Sequence, residues 1–191
     1  MVYNYRKKKV FAVPKKDEYM YKRKKNSLSP EAREWISACA VAIIIAVLIR
    51  VLLFEIVVVE QSSMTPTLAE GDKLGLFKIA YIFTEPQSDD IVVLKVEENK
   101  NFVKRVIAIS GQTIEIKDDT VYIDGKRLEE EYLPEGLNYS DFPKTTVKDG
   151  YVFVMGDNRP NSVDSRVLGQ IAEKDIIGKV IVRLKPLTFF K

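Results

Sequence analysis

Residues 35–54 are apolar at almost every position: from Trp35 to Ile49 only Ser37 interrupts, and Arg50 is followed by Val51-Leu52-Leu53-Phe54. A run of twenty such residues predicts a helix long enough to cross a hydrocarbon core of about 30 Å. Arg50 lies four residues from the end of the run, where it snorkels to the interface and avoids the roughly 2.5–3.5 kcal/mol cost of a charge at the bilayer centre. A buried core helix is the alternative, and it leaves the basic block ahead of the run unexplained. After Glu55 the pattern changes to short apolar segments divided by polar and turn residues. Strands are predicted over 56–59, 72–78, 91–96, 102–109, 113–116, 121–123, 151–155 and 176–184, with turns at Asp124-Gly125 and Asp149-Gly150. The stretch 111–148 is more acidic and turn-rich than its flanks, with Glu129-Glu130-Glu131, Pro134, Gly136 and Pro143, and reads as an inserted cap.

The chain divides on this reading into a basic tail (1–34), a transmembrane helix (35–54), a mainly β core built from 56–110 and 149–191, and the cap (111–148). The 191 residues carry a net charge of +3 that conceals an asymmetry. Residues 1–34 hold 11 Lys or Arg against 4 acidic residues, +7, which leaves −4 for the remainder. The tail is expected to be largely unstructured and to stay cytoplasmic, with everything after about Glu55 outside. An acidic body excludes nucleic acid as its natural partner. The apolar run exceeds the 7–15 residues of a signal-peptide core, and no small-x-small cleavage site follows it before Val57-Val58-Val59, so it is not an ordinary removable leader. The single cysteine, Cys39, falls inside the span and the chain has no histidine, so neither an intrachain disulfide nor a bound metal or other cofactor is expected. At the other end, Leu187-Thr188-Phe189-Phe190 reads as packing or as a return to the membrane surface.

The absence of histidine also excludes a Ser-His-Asp triad, so a nucleophilic serine would need another proton acceptor, for which a lysine is an established variant. Lys104 lies in the apolar segment Phe102-Val103-Lys104-Arg105-Val106-Ile107-Ala108-Ile109, 41 residues after Ser63. With period two, Lys104 shares a face with Phe102, Val106 and Ala108, while Val103, Arg105, Ile107 and Ile109 point the other way. Burial disfavours ammonium and lowers a lysine from about 10.4 towards neutrality, whereas a guanidinium such as Arg105 stays charged. A lysine whose ammonium snorkels to water is the plainer alternative. A second polar cluster, Gly156-Asp157-Asn158-Arg159-Pro160-Asn161-Ser162-Val163-Asp164-Ser165-Arg166, leaves the apolar segment 151–155 as a loop, where functional groups commonly sit; a solvated turn is the alternative.

Taken in order, Ser63-Met64-Thr65-Pro66-Thr67-Leu68, Gly71-Asp72, Asp90-Ile91-Val92-Val93, Val103-Lys104-Arg105-Val106-Ile107 and the 156–166 cluster resemble the motifs of bacterial type I signal peptidases, in the short Gram-positive-like form. The resemblance spans roughly residues 35–185 and implies a signal-peptidase-like β-barrel or sheet domain. It implies Ser63 as nucleophile, Lys104 as general base, and a hydrogen bond from Ser162 to the lysine amine. Arg105, Asp157, Arg159, Asp164 and Arg166 become structural charges bracing the site. Val57, Val59, Met64, Phe102 and Val103 line shallow pockets for the small residues at positions −1 and −3 of a cleavage site. The implied partners are signal peptides of secreted precursors, the lipid bilayer and the secretion machinery. Gln61 stands where glycine or serine is usual and offers either a side-chain amide or only a backbone group to an oxyanion; Asp89, Ala108, Ser110 and Gln112 also depart from the pattern. A self-cleaving Ser-Lys repressor-type peptidase would be cytosolic, against the span, and a non-catalytic surface or pilus-assembly protein of the same fold would not need both Ser63 and Lys104.

Overall fold

The computed structural model describes residues 29–97 and 100–190, so the expectation for the basic tail lies almost wholly outside the described residues. The chain forms two compact units that divide at Ile43/Ile44. Helix α1 spans Pro30–Leu53, starting five residues before the apolar run, and none of its residues is buried. A buried core helix is thereby ruled out, and the helix is long and apolar enough to cross a membrane.

The second unit is mainly β, as the alternation after Glu55 implied. Its larger sheet contains β1 (Phe54–Val58), β2 (Lys73–Phe77), β3 (Ile91–Glu97), β4 (Lys100–Ala108), β9 (Tyr151–Met155), β10 (Ile171–Ala172), β11 (Ile176–Leu184) and β12 (Leu187–Phe189). The order is β1-β2-β11-β3-β4-β9-β10, with β12 folded back on β11, and every pair is antiparallel. A four-stranded sheet, β7-β6-β5-β8, is formed by β5 (Thr113–Lys117), β6 (Thr120–Ile123), β7 (Lys126–Arg127) and β8 (Phe142–Thr146). A single helical turn, α2 (Ser165–Leu168), closes the 156–166 loop; Asp164 caps it by accepting from the Arg166 backbone N–H.

β3 is buried on both faces. Ile91 and Val93 join a cluster with Val59, Met64, Leu68, Leu74 and Leu76, while Val92 and Leu94 pack with Val106, Val152 and Val154. Strand β4 lies next to it, pairing Lys104 with Val92 and Arg105 with Ile91. The strict alternation expected along β4 holds only as far as Val106. The register against β9 shifts between Val106 and Ala108, so Ile107 and Ala108 both enter the third cluster, with Ile114, Ile116 and Phe153 of the smaller sheet and β9. An extra residue in one strand bends it and resets which way its side chains face. At the C-terminus Phe190 packs on the first cluster, whereas Phe189 remains 74% exposed.

Candidate active site

Ser63 sits in a 3-10 turn, Ser62–Met64, that follows β1. The Met64 side chain is fully buried in the first cluster and fixes the turn to the core. Lys104 reaches it from β4: Lys104 Nζ donates to Ser63 Oγ at 2.7 Å, and Lys104 is only 1% exposed. Burial lowers the lysine pKa to about 8, opposed by the carboxylate of Asp164 and helped by the charge of Arg166. The Phe102 ring centre lies 5.2 Å from Nζ. The same 2.7 Å separation lets a neutral amine accept the Oγ proton, because it is a hydrogen-bond distance in either direction.

The loop after β9 holds the Ser63 turn from behind. The backbone N–H of Asn158 donates to the Ser63 carbonyl at 3.0 Å, and Asn158 Nδ2 donates to the Ser62 carbonyl at 3.1 Å. A Cβ added at Gly156 would collide with the Ser63 carbonyl oxygen and with Ser162, so only glycine fits between them. The hydrogen bond from Ser162 to the lysine amine is not formed. Ser162 Oγ is buried without a hydrogen-bond partner among the described residues.

The charged residues do come together. Asp157, fully buried, accepts from Arg105 Nε (3.0 Å), Arg105 Nη2 (2.7 Å) and Thr67 Oγ1 (2.5 Å). Asp164 accepts from the Gly156 N–H (3.1 Å) and from Arg166 Nε and Nη2 (2.9 and 2.8 Å). Burial pushes the Asp164 carboxyl up, but these bonds outweigh it and hold the group below the usual carboxylate range. Arg159 donates through Nε to the Gly156 carbonyl at 3.1 Å and pairs with Glu130.

Two members of this network were not singled out from the sequence. Arg105, Arg159 and Arg166 outnumber Asp157 and Asp164, and buried guanidiniums need matching carboxylates. Asp89 supplies one, accepting from Arg105 Nη1 at 2.6 Å, and Glu130 supplies the other with its side chain only 9% exposed. The imbalance of three against two signals one further carboxylate, which is Glu130; Asp89 is a second partner of Arg105, which already pairs with Asp157. Tyr132, beside Glu130, places its ring 3.8 Å from the Arg105 guanidinium and completes the contact with the 111–148 region.

A groove of about 250 Å³ opens beside Ser63. Val57, Val59, Met64 and Val103 line it as the resemblance implied, joined by Val93, which the sequence reading missed. Phe102 is not part of its wall and instead faces the lysine. Gln61 lies at the groove, exposed, and makes no side-chain bond to the turn it precedes.

A short turn presenting a buried serine to a desolvated lysine, in a mainly β body behind an apolar helix, defines a class of serine peptidase without histidine. Residues 32–185 match the family model described as signal peptidase, peptidase S26. Signal peptidase I of Bacillus licheniformis is 42% identical over 166 residues, covering 81% of this chain and 87% of its own. Signal peptidase I T of Bacillus subtilis (strain 168) is 46% identical over 156 residues, covering 76% and 81%. A crystal structure of a signal peptidase I from Enterococcus faecalis V583 aligns with 35% identity and a TM-score of 0.45, over 51% of this chain and 97% of that one. The chain belongs to the signal peptidase family, peptidase S26, and is a serine endopeptidase. Neither a repressor-type peptidase nor a non-catalytic pilus-assembly protein is favoured by these relatives.

Proposed function

We propose that the protein removes signal peptides from secreted precursors after small-x-small sites, anchored in the cell membrane by α1. The observation that carries this reading is the 2.7 Å contact between Ser63 Oγ and the Nζ of a lysine that burial brings to a pKa of about 8. Ser63 Oγ attacks the scissile carbonyl carbon while Lys104 accepts the hydroxyl proton. The oxyanion is held by the Ser63 backbone N–H and by the Gln61 side-chain amide. As the C–N bond breaks, the Lys104 ammonium gives its proton to the leaving amine, and a water then hydrolyses the acyl-enzyme with Lys104 again as base. Arg105, Asp157, Arg159, Asp164 and Arg166 brace this geometry. Val57, Val59, Met64 and Val103 leave room in the groove for small side chains only.

Detergent-solubilised full chain incubated with a precursor whose signal ends in Ala-x-Ala is expected to cut once, directly after that sequence, as read by mass spectrometry. Cleavage elsewhere, or none, counts against the reading. The +7 tail favours a cytoplasmic N-terminus with the body outside, in reach of the secretion machinery. Protease added outside protoplasts should then digest the body and spare residues 1–34; the reverse pattern refutes the orientation.

A further inference from the structure

The strand that leads to the nucleophile has a free edge. β1 pairs only with β2 among the described residues, so its other side offers unpaired backbone N–H and C=O groups. β4 is paired with β3 up to Arg105 but meets β9 only from Arg105 onwards, which leaves a second free edge at 101–104. Both edges border the 250 Å³ groove, which is lined by residues 57–61 on one side and by Asn101 and Val103 on the other. A slot between two free edges takes an extended peptide as an added strand.

An added strand alternates its side chains as its neighbours do. Val57 and Val59 turn inward and pack with Met64, Leu74 and Val93, and Val59 is only 4% exposed. Val58, between them, is 51% exposed, and Glu60 is exposed as well. A peptide that sends its −1 and −3 side chains into the groove beside Val57 and Val59 therefore turns its −2 side chain outward, onto the face that carries Val58 and Glu60. Neighbouring strands lie about 4.8 Å apart, close enough for side chains on one face to interact. The place of Glu60 is fixed from both ends. The Val59 N–H donates to the Asp72 carbonyl at 2.9 Å and the Gly71 N–H to the Val59 carbonyl at 2.8 Å, while the Ser62–Met64 turn begins two residues after Glu60. Lys73 stands opposite Val58 on β2, on the far side of β1 from the groove, so its cation is one strand further from the peptide than the Glu60 carboxylate.

We infer that Glu60 reads the middle residue of the small-x-small site, favouring a cationic side chain at −2 and opposing an acidic one. This rests on the proposed cleavage after such sites. The apolar walls of the groove select by size at −1 and −3, and the outward carboxylate adds a filter by charge between them. An exposed ion pair is weak and is screened by salt, so attraction of one charge and repulsion of the other together give a preference of about five- to tenfold that shrinks as salt is raised.

The test sets three precursors in competition for the detergent-solubilised full chain, identical except that the signal ends in Ala-Lys-Ala, Ala-Gln-Ala or Ala-Glu-Ala. Mass spectrometry of the products gives relative kcat/KM, and each ratio is internal to one variant, so a change in overall activity does not alter it. The unmodified enzyme is expected to prefer the Lys form over the Glu form by about five- to tenfold. Glu60→Gln should bring that ratio close to one and Glu60→Lys should invert it. Glu135→Gln, an equal change of net charge at an exposed position of the 111–148 region, should keep the original ratio. A ratio near one in the unmodified enzyme, or a preference that survives Glu60→Gln, overturns the assignment. A ratio that falls equally in Glu135→Gln traces the preference to net charge and rejects Glu60. Failure of the unmodified enzyme to cut any of the three precursors overturns the proposed function itself, whereas cleavage of all three without discrimination overturns only the role of Glu60.

Discussion

Lys104 and Arg105 are consecutive cations on one strand, both almost fully buried, and the structure treats them oppositely. Arg105 donates two hydrogen bonds to the Asp157 carboxylate and one to the Asp89 carboxylate, and its guanidinium lies over the face of Tyr132. Lys104 donates to a hydroxyl and lies over the face of an apolar ring, with its compensating carboxylates acting only at longer range. The guanidinium therefore remains charged, while the amine is poised to shed its proton near pH 8. Reactivity comes from withholding a partner from one cation, and rigidity from over-supplying its neighbour.

The contrast is broken most completely at the two reacting groups. Ser63→Ala and Lys104→Ala are each expected to lower precursor cleavage by about 10⁴-fold or more, while Ser62→Ala, altering an exposed hydroxyl, keeps most activity. A gel assay of precursor and mature product decides it, and turnover by Ser63→Ala would sink the assignment. On the braced side, Arg105→Ala leaves Asp157 as an uncompensated buried charge. It should cost about 3–5 kcal/mol of stability in urea unfolding. A loss below about 1 kcal/mol would mean that the network is not what holds the two segments together.

Gln61→Ala tests the oxyanion contact. Loss of a donor that acts only in the transition state lowers kcat by roughly 10²–10³ with little change in KM. A kcat like that of the unmodified enzyme returns the role to a backbone group. The smallest effect is the pH response. The free-enzyme kcat/KM should rise about tenfold per pH unit up to about 8 and then level off, because only neutral Lys104 accepts the proton. Stability moves in the same direction: below pH 8 folded and unfolded chains are both protonated, and between about 8 and 10.5 the unfolded chain binds more protons, so stability rises with pH. Lys104→Met should abolish that rise and gain on the order of 1–3 kcal/mol at pH 7. An unchanged stability profile in this variant would show that another group titrates.

Composition and strand alternation, a chain with no histidine and a lysine among valines, raised Lys104 only as a candidate; its pairing with Ser63 came from the resemblance, and the structure sets the two side chains in hydrogen-bond contact. The apolar helix was legible from length alone, though it starts at Pro30, and 151–155 and 176–184 were placed at their true limits. What stayed hidden depends on pairing across the fold. Strand β8 contains Pro143 and exposed polar residues, and is a strand because it pairs with β5. Glu130 sits in an acidic triplet that reads as solvated until Arg159 claims it. The register shift after Val106 carries no local marker in Val106-Ile107-Ala108, so alternation assigned Ala108 to the wrong face. Ser162 was placed by analogy with a hydrogen bond that the packed loop does not make.

Asp157 joins Thr67, four residues after the proposed nucleophile, to Arg105, one residue after the proposed base, across sequence separations of 90 and 52 residues. A ribosome releases both reacting residues well before it adds this carboxylate. The contact that ties the two segments together is therefore available only once the segment that follows β9 has been added.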